Sequence, residues 1–213
     1  MASFLDTLLL VFAALMPVVN PVGSAPIFLA LTEGAGKAER DRLSFWVSFN
    51  SFILLFGSAF IGSDVLEFFG ISLPIVRIAG GLLLTGLGWK LLNADPDPDH
   101  AAAKNSPVAA ESFYPLTMPL TVGPGCMAIA ITLGTQRAKF GVEQLLLFRG
   151  ALTTGLLLIA VSIYLCYRFA DRLVAILGHG GTTVVIRLSA FILVCIGLQI
   201  LWSGWSGLNH LVP

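Results

Sequence analysis

The sequence predicts an all-α membrane protein: six transmembrane helices as two inverted three-helix repeats, with broken helices 1 and 4. Three observations carry this prediction. Twelve Lys and Arg plus twelve Asp and Glu make up only 11 % of 213 residues, where ordinary soluble domains carry about 25 %. Uncharged runs cover residues 43–63, 112–136, 150–167 and 188–213, and residues 1–32 hold only Asp6. Clusters of Gly and Pro interrupt the apolar stretches at matching places in the two halves.

A bilayer-spanning helix needs about 20 mostly apolar residues. Six spans fit, at 4–31, 42–63, 72–92, 113–134, 144–167 and 186–206. The first is apolar from Phe4 to Met16 and then meets Pro17, Asn20-Pro21, Gly23-Ser24 and Pro26. Each proline removes a backbone donor and obstructs the carbonyl one turn earlier, and Asn20 before Pro21 is pushed from helical angles. The second and third spans are uninterrupted; the third is glycine-rich at Gly80-Gly81, Gly86 and Gly88, which suits close helix packing. The fourth repeats the interruption with Pro115, Pro119 and Thr121-Val122-Gly123-Pro124-Gly125. The fifth and sixth complete a single transmembrane domain over 1–213, with repeat 1 at 1–92 and repeat 2 at 113–213. Between them the stretch 93–112, NADPDPDHAAAKNSPVAAES, reads as a solvated linker.

The N-terminus lacks the positive start of a secretory signal, so the first apolar stretch reads as a retained span. Loops at 33–42, 90–111 and 168–187 hold Lys37, Arg40, Arg42, Lys90, Lys104, Arg168, Arg172 and Arg187, against Arg77, Arg137, Lys139 and Arg149 elsewhere. By the positive-inside rule the linker is cytoplasmic and both termini lie outside.

The repeat shows when the second half is slid onto the first by 102 positions, so that Met16–Leu31 overlies Met118–Leu133. Further along, Asp64 with Gly70 parallels Asp171 with Gly178, and Arg77-Ile78-Ala79-Gly80 parallels Arg187-Leu188-Ser189-Ala190. Three spans per unit is odd, so the halves must be mutually inverted, a recurrent plan of secondary transporters.

Non-helical backbone at membrane depth survives only when buried in protein or lining a polar cavity. Broken spans expose helix N-termini, whose amides and positive dipole end suit a carboxylate, and free carbonyls that suit an ammonium or a cation. The candidate substrate-binding residues are therefore Asn20, Pro21, Gly23, Ser24, Thr121, Gly123, Pro124 and Gly125. A pair of merely kinked packing helices is the plain alternative. Asn50 in the second span either joins helices or faces the cavity. Arg77 and Arg187 either snorkel to the interface or pair with Asp64, Glu67 or Asp171 to lock a gate; Asp64 and Asp171 are also the candidates for proton coupling.

Other classes are poorly served. Net charge is zero and no basic patch interleaves with aromatics, which argues against nucleic acid. Cys126, Cys166 and Cys195 are scattered in apolar runs and read as core residues, with no metal site or disulfide framework. The segment Gly178-His179-Gly180-Gly181 lacks the context of a phosphate loop. No catalytic constellation sits at membrane depth, so an enzyme is not expected, and no cofactor is called for.

Asn20-Pro21-Val22-Gly23, followed by Pro26-Ile27-Phe28-Leu29 and Leu31-Thr32, resembles the opening signature of the MarC family of integral membrane proteins. Pro119 through Gly123-Pro124-Gly125 is similar to its second signature, and Arg77 through Leu84 matches as well. The family is named for a proposed link to multiple antibiotic resistance, and its plan resembles the amino-acid exporters of the LysE group. The resemblance implies a carrier of small neutral amino acids such as glycine and alanine, in a bacterial inner membrane. The partners expected are a small zwitterionic substrate, a coupling proton or cation, and the lipid bilayer; no reading of oligomeric state follows. A pore, or a non-transporting scaffold linked to drug or stress resistance, are the alternatives.

Overall fold

The computed structural model describes residues 4–32, 34–93, 112–135 and 142–209. Of the linker read at 93–112, residues 94–111 lie outside the described residues, as do Arg137 and Lys139. Among the described residues the chain is almost wholly helical and contains no strand.

The helices are α1 (Phe4–Val19), α2 (Pro21–Leu31), α3 (Lys37–Phe68), α4 (Leu73–Leu92), a π-helical turn at Leu116–Thr121, α5 (Pro124–Thr135), α6 (Val142–Arg168) and α7 (Ala170–Asn209). Among the described residues, four stretches are long and apolar enough to cross a membrane: Phe4–Leu29, Lys37–Phe68, Gln144–Arg168 and Thr183–Leu208. The expected fourth span is divided between the π-helical turn and the 12-residue α5. The 20-residue α4, with Arg77 and Lys90 towards its ends, is not among the four.

Local chemistry sets most helix ends. The α3 helix closes on Gly70, whose φ of +68° only glycine adopts freely. There the Gly70 N–H donates to Glu67 O and the Ile71 N–H to Leu66 O, both at 2.9 Å, so two last-turn carbonyls are satisfied. Pro74 sits in the first turn of α4, where its missing N–H costs nothing. The second span exceeds its expected 42–63 because the polar flank Lys37–Arg42 is helical too. The last departs further. Residues 168–187, expected as a loop, lie almost wholly in helix, and Gly178 (φ 63°, ψ 175°) kinks α7 into two helical pieces.

The packing is inside out by soluble standards. Large apolar side chains such as Phe68, Ile176, Trp202 and Trp205 face outward, while Ser24, Ser44, Ser48, Ser51, Thr117 and Thr121 are buried. A surface this apolar requires a non-aqueous surrounding. Within the bundle α4 packs on α7, α1 on α6, and α3 on both α5 and α6. The α4–α7 contact is antiparallel and rests on glycine. Gly81 meets Gly197 and Leu201, Gly88 meets Ala190 and Val194, and Gly204 meets Pro74 and Ile78. Free Cys126 is buried as expected, but Cys195 is exposed and so is not a core residue: it falls on a part of α7 turned away from the bundle.

Candidate functional site

The first break falls at Asn20 alone. Its φ of +44° interrupts the helix between α1 and α2, whereas Pro17 and Pro26 lie inside helices. Asn20 is a residue type that tolerates the left-handed region, and its side chain puts the excursion to use. Asn20 Oδ1 accepts from the Gly23 N–H at 3.2 Å and Asn20 O from the Ser24 N–H at 3.0 Å, capping α2. Gly23 fits closely: a Cβ there would stand 2.9 Å from Asn20 Cγ and 2.9 Å from Ser189 Oγ on α7. Pro21, Gly23 and Ser24 are all buried.

The second break spans more residues. The π-helical turn carries Met118 at φ −118°, ψ 124°, and Val122 is extended before Pro124 opens α5. The Val122 N–H reaches back to Thr117 O at 2.9 Å, and the Met127 N–H takes Gly123 O at 3.3 Å. Gly125 lies under Leu84 of α4, with Cδ1 and Cδ2 at 2.6 and 2.7 Å from where a Cβ would sit. Gly123 is half-buried and Pro124 exposed.

A residue that the sequence reading passed over brings the two breaks together. Tyr167, at the end of α6 and 2 % exposed, hydrogen-bonds through its hydroxyl to Thr121 Oγ1 at 2.8 Å. Thr121 donates to Leu116 O at 2.7 Å. Its single proton is thereby committed, so Tyr167 donates to Thr121. The Tyr167 ring stacks on Phe28 of α2, with centroids 4.4 Å apart and planes at 14°. Tyr167 carried no signal in the sequence beyond being a hydroxyl inside an uncharged run.

The weaker candidates are not gathered there. Asp171 pairs with Arg40 at 2.7 Å rather than with Arg77 or Arg187. Beside it Arg168 approaches Asp41 at 3.9 Å and bonds the Tyr164 hydroxyl. These ions link the start of α3 to the α6–α7 junction, a pairing across elements that spacing along the chain cannot reveal. Arg77 Nε donates to Thr132 Oγ1 on α5 at 3.3 Å, while Arg187 is exposed on α7, so the two matched arginines differ in setting. Asp64 is exposed at the far end of α3 and takes a hydrogen bond from Ser63 at 3.4 Å. Asn50 is half-buried midway along α3, beside Ser51, whose buried hydroxyl has no hydrogen-bond partner among the described residues. An open cleft of about 300 Å³, lined by Ser63, Glu67, Gly70, Ser72 and Thr135, lies at that far end and not at the breaks. Among the described residues no group of side chains could hold a metal ion.

The family model described as "MarC family integral membrane protein" matches residues 5–209. A "UPF0056 membrane protein" of Buchnera aphidicola is 31 % identical over 203 residues, covering 93 % of each chain. The "UPF0056 inner membrane protein MarC" of Salmonella typhimurium is 33 % identical over 199 residues, covering 89 % of this chain and 90 % of the relative. The protein of the same name from Citrobacter koseri is 32 % identical over 203 residues, with 89 % and 90 % covered. No solved structure matches. With its apolar exterior, its spanning helices and a family match over nearly its whole length, the chain belongs to the MarC family of integral membrane proteins.

Proposed function

We propose that the protein is a secondary carrier of small neutral amino acids, such as glycine or alanine, in a bacterial inner membrane. The observation that carries the reading is the meeting of the two broken spans on one side chain, Tyr167 bonding Thr121 of the second break and stacking on Phe28 of the helix that follows the first. Paired broken helices are the best pointer to a transporter's binding site. Helix starts at Pro21 and Pro124 supply positive dipole ends for a carboxylate, and neutral hydroxyls and carbonyls serve the ammonium. Buried side chains at the breaks are small or neutral, which suits a short zwitterion better than a bulky ion.

Alternating access would come from two inverted three-helix units rocking about this site. Reciprocal packing supports that plan. Gly23 of the first half presses on Ser189 of the second, and Gly125 of the second presses on Leu84 of the first. Contacts of α1 with α6 are answered by those of α5 with α3, and contacts of α2 with α7 by those of α5 with α4. Gly70 and Gly178, corresponding landmarks of the repeat, both have positive φ. Both termini outside and the linker in the cytoplasm remain the proposed orientation.

A ligand that binds only the folded protein raises its apparent stability, by about 2.7 kcal/mol at a hundredfold excess over Kd. Thermal unfolding of the purified chain in detergent, across a panel of amino acids, is expected to rise with glycine and alanine and to stay flat with large or charged ones. A panel that is flat throughout would sink the reading.

A further inference from the structure

We propose that Arg40 is the bolt of a gate: by bonding Asp171 it closes the end of the bundle where α3 begins, while the matching place at the opposite end stands open. The inference rests on the two rocking units of the carrier reading, and it names the bond that their rocking must break and remake.

The two ends are counterparts under the repeat. The segment from Asp64 to Gly70 answers that from Asp171 to Gly178, and the end of α5 answers the end of α2. At one end these counterparts are parted by the open cleft of about 300 Å³. Leu66, Glu67 and Gly70 of the first half line one side of it and Thr135 of the second half the other. At the other end the equivalent elements are joined. Arg40 Nη1 donates to Asp171 Oδ1 at 2.7 Å, and Nη2 reaches Ala35 O, in the turn after α2, at 3.4 Å. Beside it Arg168 approaches Asp41 at 3.9 Å. Rocking of two inverted units opens one end as it closes the other, and here the two equivalent places are in opposite states.

Burial explains how the bolt both holds and releases. The Arg40 side chain is 20 % exposed, and its Nε is buried with no hydrogen-bond partner among the described residues. Asp171 is 61 % exposed. A mostly buried guanidinium is costly without its carboxylate, so the pair holds while Asp171 stays in place. Asp171 can turn to water cheaply. Arg40 is then relieved only by following it out, which parts the start of α3 from the start of α7.

Hydrogen–deuterium exchange of the full chain in detergent reads both ends at once, since amides exchange as elements open. Asp171→Asn keeps the shape of the side chain and removes its charge. It is expected to speed exchange about threefold over 37–43 and 169–177, the scale of a lost ion pair, and to slow it over 63–73 as the far cleft closes. Asp171→Glu, which keeps a carboxylate, and Arg187→Gln, at an exposed site on α7, are expected to leave both ends near native. Faster exchange at both ends alike would mark a merely structural ion pair and overturn the gate. No change at either end, or an equal response to Arg187→Gln, would overturn it too. Glycine is expected to slow exchange over 63–73 in the native chain. Opposite changes at the two ends in Asp171→Asn, without any response to glycine, uphold the gate and overturn the amino-acid reading.

Discussion

Gly81→Leu is expected to yield little or no monodisperse protein, while Gly86→Leu on the same helix folds normally. A Cβ at Gly81 would lie 2.6 Å from Leu201 N and 2.7 Å from Gly197 O, whereas one at Gly86 would meet nothing within 4 Å. Both obstacles at Gly81 are backbone atoms of α7, so no rotamer change relieves them and the helices must separate. Membrane helices gain little from hydrophobic burial against each other and depend on close approach. Overpacking costs of about 1–3 kcal/mol in a soluble core are a lower guide here, since a whole helix must move. Size-exclusion profiles of the two variants in detergent check this. Equal profiles would mean that the α4–α7 contact does not hold the bundle together.

Asn20→Val is expected to lower stability by about 2–3 kcal/mol, the sum of a lost cap and a β-branched residue at positive φ. Asn20 stands at φ +44° and its side chain caps α2 through the Gly23 N–H. Asn20→Gly loses the cap but not the conformation, so its cost should fall to about 1 kcal/mol or less. Unfolding temperatures of the three proteins give the order native, then Gly, then Val. Should Val equal Gly, the break would not be held in the left-handed region at all.

What was legible in the sequence is what backbone chemistry writes locally. Asn20-Pro21 and Gly123-Pro124 mark their breaks because proline and its predecessor restrict their own angles, whatever surrounds them. Even there the reading was too broad, for Pro17 and Pro26 are carried inside helices. Packed neighbours can re-satisfy the freed groups of a membrane helix. The connection expected over 168–187 was read from span limits alone, and there the chain is helical on both sides of a kink at Gly178. Contacts between distant elements were not legible. Tyr167 reaches Phe28 and Thr121, and Asp171 reaches Arg40, through packing of α6 and α7 on their neighbours, and neither set of contacts has a sequence period to announce it. The Gly81–Gly197 contact lies between: glycine announced close packing, but its partner came only with the fold.

The central claim is that the two breaks form one site in a carrier for small zwitterions. Uptake of labelled glycine into proteoliposomes tests it most directly. The account predicts saturable uptake above empty vesicles, faster when glycine is also present inside, and reduced by Asn20→Val. Absence of uptake above empty vesicles for every small amino acid would contradict it, and so would flux that never saturates.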